Sequence, residues 1–75
     1  MKLSDLKVGE KAKIVSIHGK GITKRRLMDM GIVSGEILIV EKVAPLGDPV
    51  DIVVKGYHLS LRKLETEEIE VEVLS

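Results

Sequence analysis

Residues 23–32 read TKRRLMDMGI, and the reading of this stretch decides how the rest of the chain must fold. The spacing predicts one short helix set between β-strands. Thr23 is placed to be its N-cap, where a hydroxyl accepts a bond from an orphan N–H of the first turn. Leu27 and Met30 are spaced to share one face. Gly31 stands where a left-handed residue ends a helix, a conformation glycine reaches without a Cβ penalty. Ile32 and Leu27 would then make the hydrophobic contact of a Schellman stop. A helix of about two turns is unstable alone in water, so packing on the flanking segments must hold it.

Those flanks alternate with a period of two. Upstream, residues 3–8 (LSDLKV) supply Leu3, Leu6 and Val8, with Ser4 placed to cap a single helical turn before Gly9. Residues 11–17 (KAKIVSI) read as a strand. Ala12 and Ile14 lie on one phase, Val15 and Ile17 on the other, and a bulge near Val15–Ser16 reconciles them. Downstream, Ser34-Gly35 makes a turn and residues 36–43 (EILIVEKV) form the strongest strand, apolar on both faces. One of those faces is expected in the core and the other under the helix. Residues 44–49 (APLGDP) are a loop. Val50, Ile52 and Val54 alternate inward, Lys55-Gly56 is a hairpin turn, and Tyr57, Leu59 and Leu61 point in again. Residues 63–68 are a short helical link, and residues 69–73 alternate with Glu70 and Glu72 outward.

The element order predicts a mainly β fold: a small five-stranded barrel of the Src-homology-3 type, with one short α-helix inserted after the first strand. All 75 residues form a single domain. Closure would remove the edges that such short strands otherwise expose. In that topology the last strand returns antiparallel beside the first, so Lys11 and Lys13 would face Glu70 and Glu72.

Composition narrows the function. Without Cys there are neither disulfides nor thiolate metal sites. The core must be aliphatic, because Tyr57 is the only aromatic residue. The longest aliphatic run, residues 37–40, is far too short to span a bilayer, and the N-terminus lacks the apolar stretch of a signal peptide. The simplest expectation is a soluble cytoplasmic protein with no direct membrane insertion. A formal net charge of zero and a lone aromatic argue against nucleic acid as a partner. The charges are unevenly spread. Residues 1–26 carry eight Lys/Arg against Asp5 and Glu10, whereas the tail from Leu64 carries five Glu and no Lys or Arg. Neutralisation between adjoining chain ends accounts for this without a partner.

No catalytic constellation is present. Nucleophile candidates are hydroxyls alone, and neither His is placed to activate one. GKG at residues 19–21 lacks the spacing of a phosphate-binding loop. His18 and His58 are the only nitrogen ligands, without acidic residues at ligand spacing, so neither a metal site nor a cofactor is expected. The chain does not read as an enzyme.

The segments 26–35, 44–49 and 56–63 resemble the FeoA family of ferrous-iron transport accessory proteins. Arg26-Leu27, Met30-Gly31, Gly35, the APLGDP loop, Gly56, Leu59–Arg62 and Lys63 carry the resemblance, which runs over nearly the whole chain. It implies a barrel acting with the membrane GTP-binding ferrous transporter FeoB, on its cytoplasmic side. In that light Leu27, Met30, Gly31, Gly35 and Gly56 are structural. Lys24, Arg25, Arg26 and Met28, together with Leu46 and Asp48, are the candidate contact residues. Cations in a first helical turn oppose the macrodipole at a cost of a few tenths of about 1 kcal/mol each, which hints at an anionic partner. Asp29 partly offsets that cost. Exposed Met28 would suit an adaptable contact, and core filling is its alternative role. Two Pro make the loop rigid, which favours docking as well as stability. Two other readings are a nucleic-acid- or ribosome-associated small barrel and a weak transition-metal-binding iron carrier.

Overall fold

The structure is a computed structural model that describes residues 1–74. A 3₁₀ turn, Leu3–Asp5, leads into β1 (Lys11–Ile17), α1 (Gly21–Asp29), β2 (Ile37–Val43), β3 (Val50–Val54), β4 (Tyr57–Leu61), α2 (Lys63–Thr66) and β5 (Ile69–Leu74). All neighbouring strands are antiparallel, in the order β4-β3-β2-β1-β5. Ala12, Ile14, Leu38, Val40, Val50, Ile52, Val54, Leu61, Ile69 and Val71 form its buried face. Leu3, Leu6, Leu27 and Ile32 cover that face from outside the sheet. Each such aliphatic side chain contributes about 1.5–3 kcal/mol by leaving water, which is how a core without Phe or Trp suffices.

The helix stop forms as its sequence predicts. Gly31 has φ +102°. Its N–H donates to Met28 O (3.0 Å), and the Ile32 N–H donates to Leu27 O (3.0 Å). These are the two bonds of a Schellman motif, and Leu27 and Ile32 are both fully buried. Gly35 holds the next turn to β1 through its N–H on Ile14 O (2.8 Å). Lys55 (φ +53°) and Gly56 (φ +79°) make a two-residue hairpin turn with both φ positive, the twist-matching type. The bulge expected near Val15–Ser16 is present as a register shift between Ile14 and Ser16.

Several expectations need correction. The helix begins at Gly21 with Lys20 as its N-cap and no side-chain cap bond, so Thr23 lies inside its first turn. The sheet is not closed: β4 and β5 are its two ends. At β4 the seam is bordered by Met30 and Gly31 at the end of α1 rather than by another strand. Tyr57 keeps the inward phase of Leu59 and Leu61 but lies at this open seam and is 68% exposed. The second face of β2 is not under the helix, since Ile37 and Ile39 are 48% and 37% exposed.

Lys13 stands across from Glu72 as expected, but Lys11 stands across from Leu74. The bulge inserts one residue, so Glu70 stands across from Ser16. Glu70 is instead bound by the Met1 ammonium, with His18 Nε2 at 3.7 Å. The ammonium hydrogen bond holds its carboxyl below the ordinary range, and His18 adds to that effect. A carboxylate whose pKa is lowered on folding stabilises the fold above its unfolded pKa. That stability is lost as pH falls through the folded value. Glu70→Gln is therefore expected to flatten the acid side of a plot of thermal midpoint against pH and to leave its neutral-to-basic shape unchanged. An unaltered acid limb would remove Glu70 from the acid response.

Candidate functional site

α1 presents Lys24, Arg25 and Met28 to solvent, with Met28 46% exposed. Met28 borders a shallow apolar groove against Val15 and Ile17 of β1, and Lys24 stands at its margin. Among the described residues no carboxylate lies within 4.0 Å of the charged groups of Lys24 or Arg25. The expected offset by Asp29 is therefore not made as an ion pair. Because the N-cap is Lys20 and not Thr23, α1 starts three residues earlier than the sequence suggests, so Lys24 closes the first turn and Arg25 and Arg26 lie beyond it. Arg26 falls in the last turn, where the macrodipole favours a cation. Arg26 is thus favoured by the helix dipole and not opposed by it.

Arg26 has an internal partner that sequence reasoning missed. Its guanidinium is paired with Glu65 of α2. Glu65 is only 8% exposed, and its Oε1 accepts the Arg62 N–H at 2.8 Å. A carboxylate at this third helical position reaching back to the N-cap N–H is half of a capping box. The R-K-L-E spacing of residues 62–65 carried that signal. Beside it, Thr66 is fully buried and its hydroxyl donates to Lys63 O (2.6 Å).

The loop 44–49 is also tied to α2. Asp48 Oδ1 accepts the Lys63 N–H at 3.1 Å, so this carboxylate is not simply held out for a partner. Leu46 is 93% exposed. The structure thus joins both candidate elements to one short helix: α1 through Arg26–Glu65, and the loop through Asp48–Lys63. Leu64 of α2 is 74% exposed and Ile22 of α1 is 85% exposed. Neither was singled out in the sequence, because an isolated apolar residue carries no signal of its own exposure. Lys24, Arg25, Met28 and Leu46 remain accessible, whereas Arg26 and Asp48 hold the framework.

His18 Nε2 lies 3.5 Å from Ser16 Oγ and His58 Nδ1 lies 3.0 Å from Glu41 Oε1, both at exposed positions. Among the described residues no group of three or more His, Cys, Asp or Glu side chains is placed to hold a metal ion. No helix among them is long and apolar enough to cross a membrane.

Comparison with known proteins agrees with this geometry. A Porphyromonas gingivalis protein, an Fe(2+) transport protein A/Fe(2+) transporter FeoB fusion, is 41% identical over 75 residues, covering 100% of this chain. The chain spans 9% of the length of that relative. The solution structure of FeoA from Chlorobium tepidum superimposes with a TM-score of 0.93 at 44% identity, covering 100% of this chain and 71% of the other. Stenotrophomonas maltophilia FeoA complexed with zinc, an SH3 domain protein, gives a TM-score of 0.84 at 29% identity, with 96% and 89% covered. The FeoA domain model matches residues 1–73, and with the fold, the helix stop and the loop all in place the chain belongs to the FeoA family.

Proposed function

We propose that this protein is a non-enzymatic accessory of ferrous iron uptake that acts by contact with the transporter FeoB on its cytoplasmic side. One observation carries the reading: a relative that aligns with the whole of this chain is covalently joined to FeoB. Joining two domains in one polypeptide raises their effective concentration, which serves two proteins that work in contact. The contact surface is the face of α1 bearing Lys24, Arg25, Arg26 and Met28, together with the Leu46–Asp48 loop. Lys24 and Arg25 supply positive charge that no carboxylate among the described residues pairs, Met28 and Leu46 supply adaptable apolar area, and Arg26 and Asp48 fix the two elements to α2.

Binding to purified FeoB, measured over a salt series, tests this. Charge at the rim of an interface acts mainly on the association rate and is screened by salt. The Lys24→Glu, Arg25→Glu double variant is expected to bind roughly tenfold more weakly at low salt and to unfold at nearly the parent temperature. Full binding by this variant removes α1 from the interface. Retention on RNA or DNA with a steep salt dependence, and none on FeoB, would favour a nucleic-acid-associated barrel instead.

A further inference from the structure

The two ends of the sheet are not alike. At β5 the Val71 N–H donates to Met1 O (2.7 Å) and Lys2 bridges to Glu70, so the chain's own first residues cover that edge. At β4 nothing comparable is present among the described residues. The two-residue turn fixes which groups this leaves open. Val54 and Tyr57 close the hairpin as a hydrogen-bonded pair, so Leu59 and Leu61 also bond to β3. His58 and Ser60 alternate with them, and their N–H and C=O groups point away from the sheet. Both residues are exposed.

An apolar cleft runs beside these groups. Tyr57, His58 and Leu59 line it from β4, Lys55 from the turn before it, and Asp29, Met30 and Gly31 from the end of α1, so the carboxylates of an incoming segment must lie toward the cations and away from Asp29. This is where a closing strand of a barrel would have packed. Cations stand at both ends of β4: Lys55 before it, and Arg62 and Lys63 after it. Lys55 is 3.4 Å from Glu36. No carboxylate among the described residues lies within 4.0 Å of the charged groups of Arg62 or Lys63.

We propose that β4 accepts an extended acidic segment of a partner protein as a sixth, antiparallel strand. Main-chain bonds to His58 and Ser60 would hold it, and alternate side chains would give specificity. A residue opposite Leu59 points to the same side as Leu59, into the cleft of Met30 and Tyr57, and must be apolar. Carboxylates near the ends of the segment meet Arg62 and Lys63 on one side and Lys55 on the other. A second copy of this chain fits poorly. Antiparallel pairing of β4 with itself about Leu59 places Lys55 opposite Lys63 and Gly56 opposite Arg62, and like charges directly opposed across strands are destabilising. The proposal does not depend on the α1 surface being the FeoB contact.

The test is an amide-resolved NMR titration of the full chain with an acetylated, amidated Glu-Val-Glu-Val-Glu peptide, with Lys-Val-Lys-Val-Lys as its control. The acidic peptide is expected to shift the His58 and Ser60 amides and to slow their hydrogen exchange, with little response from the lysine peptide. Ser60→Pro removes a donor that β3 does not use, a substitution edge strands tolerate. It is expected to weaken binding roughly tenfold. Arg62→Glu with Lys63→Glu leaves every backbone donor in place and should weaken binding by a similar factor, which decides the matter if the proline variant does not fold. Shifts elsewhere than β4, an equal response to both peptides, no response at millimolar peptide, or dimerisation through β4 would each overturn the proposal.

Discussion

Gly31→Val is expected to destabilise the domain by about 1–3 kcal/mol. The cost comes from backbone conformation and not from crowding. A Cβ built on Gly31 meets nothing within 4 Å, yet φ is +102°. A β-branched residue is a severe outlier at such a φ. It would hold that conformation under strain or abandon it. Abandoning it breaks the Gly31 and Ile32 N–H bonds to Met28 and Leu27 and pulls Leu27 or Ile32 from the core. For a domain of this size each 1 kcal/mol lowers the thermal midpoint by about 4–8 °C. Gly31→Ala should fall in the same direction by less, because alanine has no branch at Cβ. A midpoint unchanged in Gly31→Val would mean that the helix stop contributes nothing to stability.

That stop was legible because all its parts are local: Leu27, Gly31 and Ile32 lie within six residues and each has a distinct chemical requirement. The strands were legible for the same reason. The phase flip at Val15 marked the β1 bulge, and the alternation of β3 gave its buried face. What the sequence did not carry depends on residues far apart in the chain. Arg26 and Glu65 are separated by 39 positions, so the cation run read as uniformly free. Asp48 bonds to the Lys63 amide across 15 positions, which no composition rule for a Pro-rich loop discloses. Glu70 found the ammonium and His18 because the bulge moved its register. The open seam at β4 was missed for a related reason: alternation tells which face Tyr57 points to, but not whether anything lies across from it. The helix start was misplaced because α1 has no side-chain N-cap, and Thr23 was the nearest residue able to serve as one.

The pairing of Arg26 with Glu65 separates two residues that sequence treats as equivalent. Arg26→Glu is expected to lower stability by about 2–3 kcal/mol, and Arg25→Glu by about 0.5 kcal/mol or less. Glu65 is nearly buried, with Oε1 fixed on the Arg62 N–H, so it cannot swing away from a new carboxylate at position 26. The variant both removes its cation and sets a like charge beside it. The expected loss falls short of that for a fully buried pair because the Arg26 side chain is 59% exposed and solvent screens it. Arg26→Gln should lie between the parent and Arg26→Glu, since an amide still donates to the carboxylate but brings no positive charge. Urea unfolding at low salt checks all three, and added salt should recover part of the Arg26→Glu loss by screening the repulsion. Equal midpoints for Arg25→Glu and Arg26→Glu would show that the pair does not hold α1 to α2. If instead they separate, charge reversals that probe FeoB binding belong at Lys24 and Arg25, because reversal at Arg26 would weaken the contact by loosening the framework that carries it.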